Sequence, residues 1–248
     1  MRLHVTGATG YLGSELVRLR PDASAERVEL RDTRAVRELL GRVRPDVVIH
    51  TAYRQDGPDA WEVTVDGAEH VARVAAALGA RLVHLSTDVV FDGRKGTPYV
   101  EEDAACPVSD YGLAKAEAEV RVAAAHPEAL LVRTSLIYGG PGAARPSKHE
   151  LLAVDPDATF FTDEIRSPVQ VGDLAAALLE LAALEVAGPL HVAGPDALSR
   201  ADFAALVARR PVRTAAAPPG RPLDCALDSS RAQEMIRTRL RGVRDVLQ

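Results

Sequence analysis

The chain has 248 residues, of which 47% are hydrophobic and 26% charged, and its formal net charge at pH 7 is -5. That length suits one α/β domain with a small appendage, and the acidic balance argues against nucleic acid and anionic membranes as partners. The two cysteines form no CxxC pair, and neither a signal-peptide pattern nor an apolar run of about 20 residues occurs, so a cytoplasmic location is expected.

The predicted elements alternate between strand and helix along the chain. Apolar runs typical of strands buried on both faces predict strands at 2–6, 46–51, 81–86 and 129–134, with a short candidate at 27–30 (RVEL). Helical spacing predicts helices at 11–18, 33–43, 60–78, 111–125 and 171–186, and a last one at 229–240. This order indicates an α/β fold with a doubly wound parallel sheet.

A glycine-rich turn follows the first predicted strand, where residues 6–13 read TGATGYLG. Gly7 suits a tight turn, Gly10 a close approach to a pyrophosphate, and Gly13 close packing of helix on strand. The free N–H groups of a helix N-terminus bind such a phosphate group. The turn therefore predicts a dinucleotide site.

Tyr111 and Lys115 lie four residues apart at the start of a predicted helix and so share one face. A nearby cation lowers the pKa of a phenol, which makes it a better proton donor to a developing alkoxide. Thr87, just past the predicted strand at 81–86, could hydrogen-bond a substrate carbonyl. The seven histidines show no HxxxH or HExxH spacing, so no metal site is predicted.

Six segments in family order carry a resemblance over nearly the whole chain: TGATGYLG, STDVVFDG, PYVEEDAACPVSDYGLAK, RTSLIYG, DEIRSPVQVGDLA and GPLHVAGPDALSRADFA. They resemble the extended short-chain dehydrogenase/reductase superfamily, and within it the dTDP-4-dehydrorhamnose reductases. The resemblance implies a Rossmann-type core at 1–139 and 163–194, and a small substrate-binding subdomain at 140–162 and 195–248.

The resemblance also implies an NADPH- or NADH-dependent reductase of a nucleotide-linked 4-keto sugar, with a homodimer as a further hypothesis. Thr87 would orient the carbonyl, Tyr111 would donate the proton, and Lys115 would bind the nicotinamide ribose. The implied cofactor-binding residues are Gly7, Gly10, Tyr11, Leu12, Gly13, Asp32, Thr33, Thr51, Ala52, Tyr53, Ser86, Tyr111 and Lys115.

Departures from the family pattern leave alternatives open. Val89 and Leu136 stand where these reductases usually carry Tyr and Trp, and Thr64 stands where many relatives carry Asn. A sugar-nucleotide epimerase or dehydratase, and a non-catalytic dinucleotide-binding regulatory protein, are the competing hypotheses. Asp32 would suit a ribose hydroxyl whereas its arginine neighbours would suit a 2′-phosphate, so NAD versus NADP stays open.

Overall fold

The computed structural model describes residues 1–247, which are built around a five-stranded parallel sheet in the order β1-β2-β3-β4-β9. The strands are β1 Leu3–Thr6, β2 Val47–His50, β3 Arg81–Thr87, β4 Leu130–Thr134, β5 Ile137–Tyr138, β6 Thr159–Phe161, β7 Ile165–Arg166, β8 Val169–Gln170, β9 Gly188–His191, β10 Leu198–Ser199 and β11 Arg213–Ala215. The short strands pair as β5 with β8, β6 with β11 and β7 with β10.

Helices cover both faces of the central sheet. They are α1 Tyr11–Leu19, α2 Thr33–Val43, α3 Gly67–Ala77, α4 Asp110–Ala125, α5 Lys148–Val154, α6 Val171–Leu181, α7 Arg200–Ala208, α8 Ser230–Met235 and α9 Val243–Leu247. One π-helical turn (Glu62–Asp66) precedes α3, and one 3-10 turn (Asp88–Val90) follows β3. Helices α1 and α6 pack on one face, and α2, α3 and α4 on the other. The predicted α/β doubly wound sheet is confirmed.

The predicted strand at 27–30 is wrong. Beyond β1 the structure forms only an isolated bridge at Ser24, whose N–H and C=O both bond the β1 backbone at 2.8 Å. Leu30 turns instead into the apolar cluster of α2 and α3, and Asp32 already caps α2. The segment 27–30 therefore forms no ladder with β1.

The predicted helix at 229–240 ends early, at Met235. The Glu180 carboxylate accepts hydrogen bonds from the backbone N–H groups of Arg237 and Thr238, at 2.7 and 2.9 Å. A continuing helix would need those N–H groups for its own i→i−4 bonds. The hydrogen bonds to Glu180 therefore end the helix before the point that local periodicity predicts.

The chain after β4 adds a smaller layer over one end of the sheet. Helices α5 and α7 pack together with β6 through Ala153, Phe160 and Ala204. Strand β7, in the range predicted for the core, pairs with β10, in the range predicted for the subdomain. Among residues 1–247, no helix is long and apolar enough to cross a membrane.

Candidate functional site

A cleft of about 480 Å³ opens where the carboxyl ends of the parallel strands meet the smaller layer. Ten of the residues predicted from the sequence line it: Gly10, Tyr11, Leu12, Gly13, Thr51, Tyr53, Ser86, Thr87, Tyr111 and Lys115. The other four, Gly7, Asp32, Thr33 and Ala52, lie outside its lining. The fold thus brings together residues from four separate stretches of sequence.

The glycine turn packs so tightly that side chains would not fit. Gly7 has a φ of 70°, and a Cβ there would lie 2.7 Å from the backbone N of Ala52. A Cβ on Gly13 would lie 2.2 Å from the Gly7 carbonyl oxygen. Helix α1 therefore begins directly against β1, and its first turn, between Tyr11 and Ser14, carries no acidic side chain. Residues 10–13 line the cleft, so the positive end of the helix dipole lies at the cleft.

The Asp32 carboxylate already serves as the cap of the helix that follows it. Its Oδ1 accepts hydrogen bonds from the backbone of Arg34 and Ala35 and so caps α2. Arg31 is paired with Glu29 at 2.8 Å and lies 3.7 Å from Asp59. Asp32 and Arg31, the acid and one of the cations considered for NAD versus NADP, therefore already have partners within the protein.

The start of α4 places Tyr111 beside Thr87. Ser109 caps the helix by accepting a hydrogen bond from the N–H of Gly112. A Cβ on Gly112 would lie 2.2 Å from the Val89 carbonyl oxygen, so only glycine lets α4 approach the turn after β3 this closely. Tyr111 and Thr87 then both line the cleft at this point.

The pKa of Tyr111 is raised well above its ordinary value, which differs from the lowering expected from a nearby cation. Burial is the largest cause, followed by the neighbouring Tyr53 and Asp88, while Thr87 acts the other way. The rings of Tyr53 and Tyr111 lie 5.6 Å apart between centroids. Tyr111 is therefore held as a neutral phenol, the form that can donate a proton.

Lys115 lies deep on the same helix face. Its ammonium donates to the Leu85 carbonyl oxygen and lies 5.9 Å from the centre of the Tyr53 ring. Burial lowers the pKa of Lys115 to about 8, against a raising effect from Glu119. A buried lysine with a lowered pKa in a cleft is typical of a functional site.

The cleft is also lined by cations, most of which no pattern in the sequence marks: Lys148, Arg166, Arg200 and Arg221. Arg200 begins α7, its guanidinium contacts His149 at 3.2 Å, and it has no carboxylate within ion-pair distance among residues 1–247. Burial lowers the pKa of Arg200 to about 10, so it remains a cation at neutral pH. The residue stands in the quoted segment GPLHVAGPDALSRADFA, but no local spacing marks it as a cleft residue.

Two residues of the segment 163–166 belong to a charge network at the cleft. Glu164 pairs with Arg221 and lies 3.9 Å from Arg166, and all three line the cleft. Asp163 instead accepts a hydrogen bond from the backbone of Ala217, outside the cleft lining.

Comparison with known proteins places the chain in a family. A family model described as the RmlD substrate binding domain matches residues 1–248. The chain belongs to this family. It is 32% identical over 228 residues to a dTDP-4-dehydrorhamnose reductase of Sinorhizobium fredii, covering 84% of this chain and 77% of that protein. It is 38% identical over 219 residues to the reductase of the same name from Mycobacterium tuberculosis H37Rv, covering 80% and 72%.

Solved structures agree on the fold. A hypothetical dTDP-4-dehydrorhamnose reductase from Sulfolobus tokodaii superposes with a TM-score of 0.85 at 30% identity, covering 98% of this chain and 97% of that one. A Bacillus anthracis dTDP-4-dehydrorhamnose reductase, solved in complex with NADP, gives a TM-score of 0.84 at 24% identity over 99% of this chain and 95% of that one. The family predicted from the sequence is confirmed.

Proposed function

We propose that this protein is an NAD(P)H-dependent reductase of a nucleotide-linked 4-keto sugar. The observation that carries the proposal is the convergence of Thr87, Tyr111 and Lys115 on one cleft that also receives the glycine turn. Relatives of 32% and 38% identity bear the name dTDP-4-dehydrorhamnose reductase, which supports the reductase over the epimerase and dehydratase alternatives.

The glycine turn fits a dinucleotide pyrophosphate. The N–H groups at the start of α1 are free for an anion, and the missing Cβ of Gly10 leaves the backbone bare. Ser86, whose hydroxyl has no partner among residues 1–247, and Tyr53 extend the same wall toward Lys115. We propose that the remaining predicted cofactor-binding residues hold the adenosine end of the cofactor, and that the cofactor is NADPH or NADH.

The bound cofactor would supply a hydride to the carbonyl carbon of the sugar. Tyr111 would give its phenolic proton to the carbonyl oxygen as negative charge develops there. Thr87 would hold that oxygen beside the phenol, and the Lys115 cation would stabilise the tyrosinate left behind. Each role needs only a side chain that the fold already places at the cleft.

The cations that line the cleft suit the diphosphate of a nucleotide-linked sugar. They include Arg200, Arg221 and Lys148, and arginine binds phosphate oxygens in a bidentate manner. We propose that residues 1–139 and 163–194 bind the cofactor, and that 140–162 and 195–248 bind the sugar nucleotide. The homodimer and the cytoplasmic location remain parts of this proposal.

The test is cofactor oxidation with a dTDP-4-keto-6-deoxy sugar, measured separately with NADPH and NADH. Turnover that is lost in Tyr111→Phe would support the reductase and decide the cofactor. Tightly bound NAD that stays with the protein through a redox-neutral conversion would favour the epimerase. Cofactor binding with no turnover of any keto sugar would contradict the proposal and favour a regulatory role.

A further inference from the structure

Asp88, which follows Thr87 directly, is a buried carboxyl group without an assigned role. It is 3% exposed, yet it lines the cleft. Its Oδ1 accepts a hydrogen bond of 3.2 Å from the Thr87 hydroxyl, and its Oδ2 accepts one from the Ser135 hydroxyl. Among residues 1–247, the cation within ion-pair distance of it is Arg166, whose Nε lies 3.7 Å from Oδ2.

The Thr87 hydroxyl has a single proton, which limits what it can do. Its oxygen already accepts from the N–H of Val89 at 3.4 Å. While its proton points to an ionised Asp88, Thr87 cannot also donate to a substrate carbonyl. An ionised Asp88 therefore holds the Thr87 proton away from the substrate.

A protonated Asp88 reverses this hydrogen bond. The carboxyl group would donate to Thr87, and Thr87 would be free to donate to the carbonyl oxygen. No heavy atom needs to move, because the change concerns only which oxygen holds each proton.

We propose, on the basis of the proposed reductase function, that Asp88 is a positioning residue that acts in its protonated form and directs the Thr87 hydroxyl toward the substrate carbonyl. Burial supports this state, because it is the largest influence on the pKa of Asp88 and raises it. Arg166, the hydrogen bonds from Ser135 and Thr87, and Arg200 act in the opposite direction. The other titratable groups that face Asp88 are Tyr111 and Cys225.

The proposal fixes the sign of a pH effect. The protonated fraction of Asp88 falls as pH rises through its pKa, so turnover falls over the same interval. Ser135 stabilises the ionised form, and Ser135→Ala should therefore raise the pKa of Asp88 and move this descending limb to higher pH.

Asp88→Asn provides the sharpest test. The amide oxygen can accept from Ser135, and the amide nitrogen can donate permanently to Thr87 as the protonated acid would. We expect turnover at the optimum to fall several-fold because of imperfect geometry, while the descending limb assigned to Asp88 disappears. Lys115, whose pKa is about 8, contributes a limb of its own that this variant should retain.

A second measurement does not depend on substrate. Infrared difference spectra of the wild-type protein against Asp88→Asn should show the C=O stretch of a protonated carboxyl group, which is lost on raising the pH. If the asparagine variant fails to fold, the same band can be followed by its pH shift in Ser135→Ala.

The outcomes separate this inference from the proposed function. A wild-type protein that turns over no keto sugar contradicts the reductase, and the infrared band still decides whether Asp88 is protonated. An Asp88→Asn protein that keeps the wild-type limb, or a wild-type protein with no carboxyl band at the pH of its highest rate, would overturn the role given to Asp88.

Discussion

The two faces of the central sheet are both covered by helices, but they are built from different residues. The face under α1 and α6 is apolar: Leu3, Val5, Val47, Ile49, Val83, Leu85, Leu130 and Val132. The face under α3 and α4 is polar toward the carboxyl ends of the strands: Thr6, His50, His84, Ser86 and Arg133. Strand alternation places both sets, since successive side chains point to opposite faces.

The polar face contains groups that an ordinary core avoids. Both ring nitrogens of His84, Nε2 of His50 and Nη1 of Arg133 have no partner within residues 1–247. The rings of His50 and His84 stack at 5.3 Å, and burial lowers the pKa of His50 to about 3, so that it stays neutral. Lys115 reaches into this layer from α4. The apolar face therefore stabilises the fold, whereas the polar face is less stabilising because its residues position the candidate site.

Replacing Lys115 should give the largest effect on activity. In Lys115→Met, loss of the buried cation one helical turn from Tyr111 should lower turnover by about 10²-fold or more, the scale of an acid–base contribution. The free energy of unfolding at pH 7 should not fall, because a buried charge is removed. Stopped-flow cofactor oxidation and urea unfolding test both statements. Unchanged turnover would mean that the polar face does not serve catalysis.

Breaking the buried ion pair should give the largest loss of stability. Arg133 and Glu119 lie 2.8 Å apart and are almost fully buried. Glu119→Gln leaves the guanidinium without a countercharge, and we expect the free energy of unfolding to fall by about 3–5 kcal/mol. The double variant Glu119→Leu/Arg133→Met should recover much of this loss. Urea denaturation of the single and double variants measures this recovery. A double variant that is no more stable than Glu119→Gln would contradict the prediction.

The matched change on the apolar face is Leu130→Ala. Leu130 is fully buried, and removing its side chain should cost about 2–5 kcal/mol of unfolding free energy through lost contacts and a cavity. KM for cofactor and sugar should stay the same, since Leu130 lies outside the cleft lining. A selective rise in KM would show that the two faces are not separate in function.

A smaller effect on the free energy of unfolding is expected from a change of pH. Lys115 has a folded-state pKa of about 8, below its unfolded value, so the folded state loses its proton first as pH rises. The unfolded state then binds more protons, and this group should add about 1 kcal/mol to stability between pH 7 and 9. The difference between the wild-type protein and Lys115→Met, measured by urea unfolding at both pH values, isolates it.

The smallest effect, on cofactor binding, should come from replacing Arg145, which lies beside the N-terminal end of α1. Its guanidinium donates to the Thr9 carbonyl oxygen at 3.2 Å, and its own carbonyl accepts from the Tyr11 hydroxyl at 3.1 Å. Arg145→Ala should weaken cofactor binding by a few-fold, as expected for an exposed cation. Titration of NADPH fluorescence measures this, with Arg210→Ala, an exposed arginine outside the cleft lining, as the control.

Local signals in the sequence determined much of the architecture. Helix α2 has the predicted bounds because its apolar spacing, its Asp32 cap and the proline after it agree. The glycine turn was predictable because Gly7 and Gly13 are required by contacts close in sequence and at the next strand. Thr87, Tyr111 and Lys115 followed from a strand end and an i, i+4 helix spacing.

Only the tertiary structure decided the features that depend on distant partners. The segment at 27–30 lost its strand because Leu30 packs on α3, and α8 ended because Glu180 takes the next backbone donors. Arg200 reaches the cleft from a helix that begins more than a hundred residues after Thr87. The sequence places Asp88 after a strand but does not indicate a role for it. Its burial and its hydrogen bond from Ser135 depend on the pairing of β3 with β4.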